Sequence, residues 1–196
     1  MSKTYSDYMD EITADELYEG LLAQGLFTEK LPPVFTSEEF FGYNPPQTYE
    51  EKQDGYGFIF LESMRDINIP RPLGIPNPMA YQRLCACLRD NWEAIKNHFK
   101  TKTNGNTHKI SRIHIRKQAK STKIFNMNYK NWMTDDSPVP NILIGKKYMV
   151  SADISTCFPS IYTHSLCWAL AGKEDAKKNR TSKLWFNSLD HKCMEL

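Results

Sequence analysis

The spacing of apolar residues marks several elements along the chain. Residues 11–25, EITADELYEGLLAQG, place Leu17, Leu21 and Leu22 on one face of a helix. Thr13 with Glu16 three positions later has the capping-box pattern, and Gly25 suits the helix end. Between Pro32-Pro33 and Pro45-Pro46 a second short helix is predicted, capped near Thr36 or Ser37. Alternation in GYGFIFL, residues 55–61, suggests a short strand. The segment INIPRPLGIPNP, residues 67–78, holds Pro70, Pro72, Pro76 and Pro78, which exclude a helix interior and predict an extended, turn-rich stretch.

From Met79 to about Lys100 the residues Tyr81, Leu84, Cys85, Leu88, Trp92, Ile95 and Phe99 recur at spacings of three and four. That pattern predicts a helix, broken at Asn104-Gly105. KISRIHIRK reads as a strand with an exposed cationic face, and Asp135 to Pro140 as a loop. NILIGKKYMVSADIS reads as strand, turn, strand, with Tyr148 to Ile154 the better strand. Pro159 favours a turn or helix start, Ile161 to Ala171 continues as helix, and another helix covers Lys183 to Glu195. No internal repeat or low-complexity segment is visible.

Composition narrows the classes. The chain has 196 residues, enough for a sizeable core in one or two domains. Its apolar runs are too short to cross a bilayer, and the start MSKTYSDYMDEITADEL is acidic and polar rather than a signal peptide, so a cytoplasmic protein without membrane contact is expected. The five cysteines lack zinc-ribbon spacing, and free thiols in a reducing compartment explain them more simply than a metal site with His164.

The net charge of +2 is uninformative, but its distribution is not. The stretch from Lys96 through Thr134 contains no Asp or Glu and many cations, among them Lys109, Arg112, Arg116, Lys117, Lys120 and Lys123. A one-signed tract with interleaved Phe99, Phe125, Tyr129 and Trp132 suits a phosphate backbone better than a solvated face, which would alternate signs.

The chemistry concentrates in YMVSADISTCFPSIYTHSLCWAL, where an apolar strand delivers Asp153 at its end. By chemistry alone that carboxylate fits either a metal ligand or a cap of the following turn. The string resembles motif A of reverse transcriptases, an aspartate and, after four residues, an aromatic, here Asp153 and Phe158. DISTCFPSIYTHSLCWAL and ELYEGLLAQGLFTEKLPPVFTSEEF are similar to the bacterial defence-associated, abortive-infection (AbiK-like) members. RPLGIPNP resembles the fingers segment in which a basic residue meets the incoming triphosphate.

The resemblance implies an RNA-directed DNA polymerase component acting in anti-phage defence, with dNTP substrates, Mg²⁺ and a nucleic-acid template or product. Asp153 would ligate both metal ions, assisted by the backbone carbonyl of Ile154. Phe158 would floor the sugar and exclude a 2′-hydroxyl. Arg71 is the foremost candidate for the triphosphate, with Arg65 and Lys117 behind it. The implied fold is α+β: an N-terminal region (1–66), a fingers-like basic region (67–147) and the start of a palm (148–196). Asp135-Asp136 precedes motif A and is no counterpart of the paired aspartates of motif C. The sequence ends at Leu196 before any equivalent of motifs B and C, so the resemblance implies inactivity alone, with the missing half supplied in cis or in trans, and a homo-oligomer is conceivable. The alternative is a non-catalytic nucleic-acid-binding module that uses residues 96–134.

Overall fold

The computed structural model describes residues 5–27, 31–42, 55–66, 69–103, 113–115, 125–127, 143–150, 152, 160–162 and 164–196. Among them are seven α-helices and two antiparallel hairpins, a mixed α+β arrangement. No described helix is long and apolar enough to cross a membrane.

Helix α1 (Tyr5–Asp10) leads into α2 (Ala14–Gln24). The predicted capping box forms: Thr13 Oγ1 accepts from the Glu16 amide at 3.2 Å, and Glu16 Oε2 accepts from the Thr13 amide at 2.9 Å. Both bonds satisfy donors that a bare helix start leaves open. Leu17 and Leu22 are buried, and Gly25 closes the helix by donating to the Leu21 carbonyl. The second predicted helix is instead a 3₁₀ turn over Glu38–Gly42. Ser37 does not cap it with its side chain; its hydroxyl donates to the Ala23 carbonyl at 2.8 Å and ties the turn to α2.

Strands β1 (Ile59–Asp66) and β2 (Ile69–Ile75) pair antiparallel, with Ser63 opposite Arg71 and Leu61 opposite Leu73. The proline-rich stretch is thus a regular strand. Its prolines tolerate this because Pro70 and Pro72 share one parity, leaving Arg71, Leu73 and Ile75 as possible ladder donors on an otherwise uncovered ribbon. The hairpin links residues on both sides of position 66. Leu61, Ser63, Arg71, Leu73 and Ile75 are half-buried or buried, whereas Phe60 and Met64 are exposed.

The expected helix from Met79 to Lys100 is two: α3 (Pro78–Asp90) and α4 (Trp92–Thr103). Asn91 interrupts them with φ −110° and ψ 14°, and its side-chain amide donates to the Cys87 carbonyl at 2.8 Å. A local side chain that competes for the backbone in this way favours a break over helix continuation. Asn77 caps α3 through the Met79 amide, with Pro78 at the first helical position.

Strand β3 (Ile113–Ile115) falls within the predicted KISRIHIRK strand and pairs with β4 (Phe125–Met127). The expected strand from Tyr148 is not found in its described part: residues 148–150 and 152 are unpaired, and Tyr148, Met149 and Val150 are exposed. No described strand lies beside them to complete a ladder. Helix α5 (Ser165–Ala171) is shorter than predicted, α6 (Lys173–Lys178) was not predicted, and α7 (Trp185–Met194) matches the expected last helix. Gly172, at φ +88°, turns the chain sharply between α5 and α6.

Three apolar clusters hold these pieces. Met9, Ile12 and Leu17 pack with Trp92 and Ile95; Leu22 and Leu26 with Tyr81 and Cys85; Cys167 and Ala176 with Phe186. Tyr81 donates its hydroxyl to the Leu21 carbonyl at 2.8 Å, anchoring α3 to α2. Helix α7 reaches α3 through Glu195, which is 2 % exposed and lies 3.8 Å from Arg83 and 2.9 Å from Lys192. Its backbone carbonyl accepts from Tyr56, so the entry to the first hairpin is fixed to the same point.

Candidate functional site

Two of the sequence-predicted residues lie on the first hairpin. Arg71 is half-buried on β2, on the side shared with Leu73 and Ile75, and has no hydrogen-bond or ion-pair partner among the described residues. A guanidinium held on a strand without a carboxylate keeps its fork of donors open for a phosphate. Arg65 occupies the register shift between Met64 and Asp66, where a bulge re-aims the chain.

Asp153, Ile154 and Phe158 lie outside the described residues, as do Lys109, Arg112, Arg116, Lys117, Lys120 and Lys123. The donor types of Asp153 and Ile154, carboxylate and carbonyl oxygen, suit Mg²⁺. At the start of the basic tract, Lys96 meets Glu93 at 2.7 Å and Lys100 meets Asp10 at 3.7 Å. The Lys100 pair is accessible on both sides, and pairs of that kind contribute only about 0–1 kcal/mol.

Helices α5, α6 and α7 line a half-open cavity of about 450 Å³. Asp190 occupies the apolar face of α7 one turn after Phe186 and is 5 % exposed. Its Oδ2 lies 3.0 Å from Nδ1 of His164, while Oδ1 is buried with no hydrogen-bond partner among the described residues. Tyr162 and Trp168 stand side by side, with ring centroids 5.3 Å apart and planes at 37°. Asn187 donates to the carbonyls of Asn179 (2.8 Å) and Ser182 (2.9 Å), which fixes the turn that carries Arg180.

Sequence reading missed this group. The available signal was a carboxylate at an i+4 position from Phe186, beside Leu189, where an amphipathic helix puts apolar residues.

Cys167 lines the same cavity, with its thiol held in the protonated form. Its thiol donates to the Phe186 carbonyl and to Asn187 Oδ1, each at 3.4 Å. Burial, reinforced by the Asp190 carboxylate, pushes it up to about 11, so at neutral pH the reactive thiolate is scarce. Burial likewise pushes Cys85 up to about 12 and raises the Tyr81 phenol above its usual range.

These shifts have a consequence for stability. The fold favours the protonated forms, so their contribution is complete below pH 9, where an unfolded thiol begins to ionise. It is lost as pH rises from 9 towards 11–12. The urea midpoint is expected to fall clearly between pH 8 and pH 10.5; an unchanged midpoint would contradict the burial of these groups.

Among the described residues no group of three or more His, Cys, Asp or Glu side chains is arranged to hold a metal ion. No family model matches the chain, and neither a curated protein nor a solved structure matches it.

Proposed function

We propose that the chain is the fingers and motif A portion of an RNA-directed DNA polymerase of the abortive-infection type, acting in anti-phage defence. The observation that carries this reading is the ordered set of strings, ELYEGLLAQGLFTEKLPPVFTSEEF, then RPLGIPNP, then DISTCFPSIYTHSLCWAL. The unpaired Arg71 on the first hairpin supports it, because a triphosphate contact needs a guanidinium without a prior partner.

In this mechanism Asp153 and the Ile154 carbonyl would hold Mg²⁺, which when bound would supply Lewis-acid stabilisation of the developing charge. Phe158 sets the floor of the sugar pocket and leaves no room for a 2′-oxygen. Arg71 orients the triphosphate and balances its charge. The cations Lys109, Arg112, Arg116, Lys120 and Lys123 hold the nucleic-acid backbone, with Lys117 and Arg65 near the incoming nucleotide.

Arg71 gives a direct test. A charge-assisted hydrogen bond contributes about 1.5–3 kcal/mol. Arg71→Ala in the complete polymerase is therefore expected to raise KM for dNTPs about ten- to a hundredfold, with a smaller change in kcat. Arg71→Lys restores charge but not the bidentate fork and recovers part of the loss. An unchanged KM in Arg71→Ala removes this residue from the substrate site.

A further inference from the structure

We propose that the cavity between α5, α6 and α7 binds a nucleoside monophosphate, through residues that motif A does not use. Its volume of about 450 Å³ lies within the ~300–1,000 Å³ range of small-molecule pockets. Three parts of its lining correspond to three parts of such a ligand.

The first part is an acceptor without a donor. Asp190 is 5 % exposed, its Oδ2 is used by His164, and its Oδ1 is buried without a hydrogen-bond partner among the described residues. Buried polar atoms are nearly always paired, so a carboxylate oxygen without a hydrogen-bond partner, on a residue that lines a cavity, points to a donor group brought by a ligand. The amino group of a base such as adenine is a donor of that kind.

The second part is aromatic. Tyr162 and Trp168 line the cavity next to each other, and an aromatic wall favours a planar ring. The third part is cationic. Arg180 lies at the end of α6 without an ion-pair partner among the described residues. Lys177 is held only by an exposed contact to Glu174 at 3.9 Å. Both line the same cavity as Asp190, and Asn187 fixes the turn that presents Arg180. A phosphate on Arg180 and Lys177, a base face on Trp168 and Tyr162, and a base amino group towards Asp190 use all three at once. A bare anion would leave Asp190 unanswered, and a cation would meet Arg180 and Lys177.

The test is calorimetric titration of the 196-residue chain with AMP, adenosine and ribose 5-phosphate, in EDTA so that no metal-dependent site contributes. AMP is expected to bind saturably, with adenosine and ribose 5-phosphate each at least about tenfold weaker. Arg180→Gln, at an exposed turn position where folding is not at stake, should weaken AMP about tenfold, equivalent to about 1.4 kcal/mol, and leave adenosine unchanged. Trp168→Leu, checked for native circular dichroism, should weaken both AMP and adenosine. Absence of saturable AMP binding, equal binding of AMP and ribose 5-phosphate, or an Arg180→Gln variant that binds AMP normally would each overturn the proposal. Because no polymerase activity enters the measurement, these outcomes are independent of the motif A reading.

Discussion

On the polymerase reading proposed above, Asp153→Ala is expected to abolish Mg²⁺-dependent dNTP incorporation while leaving affinity for nucleic acid in place. In the proposed two-metal nucleotidyl transfer Asp153 would be an oxygen ligand to the metal ions, and the charge stabilisation that these would supply is several kcal/mol. Each 1.36 kcal/mol is a factor of ten in rate, so losing the shared ligand corresponds to about a thousandfold or more. Asp153→Asn should fall nearly as far, since an amide has the shape of the carboxylate without its charge. On the proposed reading nucleic-acid affinity is a separate quantity, one that would rest on Lys109, Arg112, Arg116, Lys120 and Lys123 through phosphate contacts and would therefore be salt-dependent. The measurement is incorporation of labelled dNTP beside a binding titration on the same preparations. Undiminished incorporation by Asp153→Ala would end the polymerase reading. A biological effect that survives in that variant, with binding intact, would favour the non-catalytic nucleic-acid-binding module instead.

What could be read from sequence follows how local the determining forces are. The capping box of Thr13 and Glu16 is decided within four residues, and α2 forms where its pattern places it. The last helix is similar, since Phe186, Leu189 and Asp190 lie on one face. The break at Asn91 is harder to see. Its apolar residues keep helical spacing straight through, while the backbone of Asn91 leaves helical geometry and its side chain bonds the Cys87 carbonyl between α3 and α4. Proline counting undervalued β2 because the exclusion of helix says nothing about strand pairing, and two prolines of equal parity leave a ladder possible.

The cavity group was invisible for a different reason. His164 and Asp190 are 26 positions apart, and their meeting depends on the sharp turn at Gly172 and on packing of Cys167, Ala176 and Phe186. No spacing rule connects residues that only tertiary packing brings together. The same holds for Glu195, whose value as an anchor comes from Arg83 and from the Tyr56 amide, both distant in sequence. Arg71 stands between these cases: its sequence context suggested phosphate, and the hairpin shows it half-buried and unpaired.

The largest loss of stability is expected from Trp92→Ala. Trp92 is 2 % exposed and packs with Met9, Ile12, Leu17 and Ile95, joining α1 and α2 to α4. Its indole nitrogen donates to the Ile12 carbonyl at 2.8 Å, a bond across 80 positions of sequence that is fully buried. Removing a core tryptophan side chain costs about 3–5 kcal/mol through lost transfer energy and residual cavity. The abandoned carbonyl of Ile12 adds to this only where the collapsing cavity cannot offer it a donor or a water. Trp92→Phe separates the two effects, because it keeps an aromatic ring and deletes the N–H. Its cost should be about 1–3 kcal/mol, the penalty of one buried acceptor left unpaired. Since domains of ordinary stability hold about 5–15 kcal/mol in total, the alanine variant would lose a large fraction of its margin. For a chain of this size about 2–4 °C of melting temperature goes with each kcal/mol, so a fall of about 10 °C is expected. Urea and thermal unfolding of both variants decide it: near-equal losses for Phe and Ala would make the hydrogen bond dominant, and a loss below 1 kcal/mol for Ala would mean that α4 does not seal the N-terminal helices.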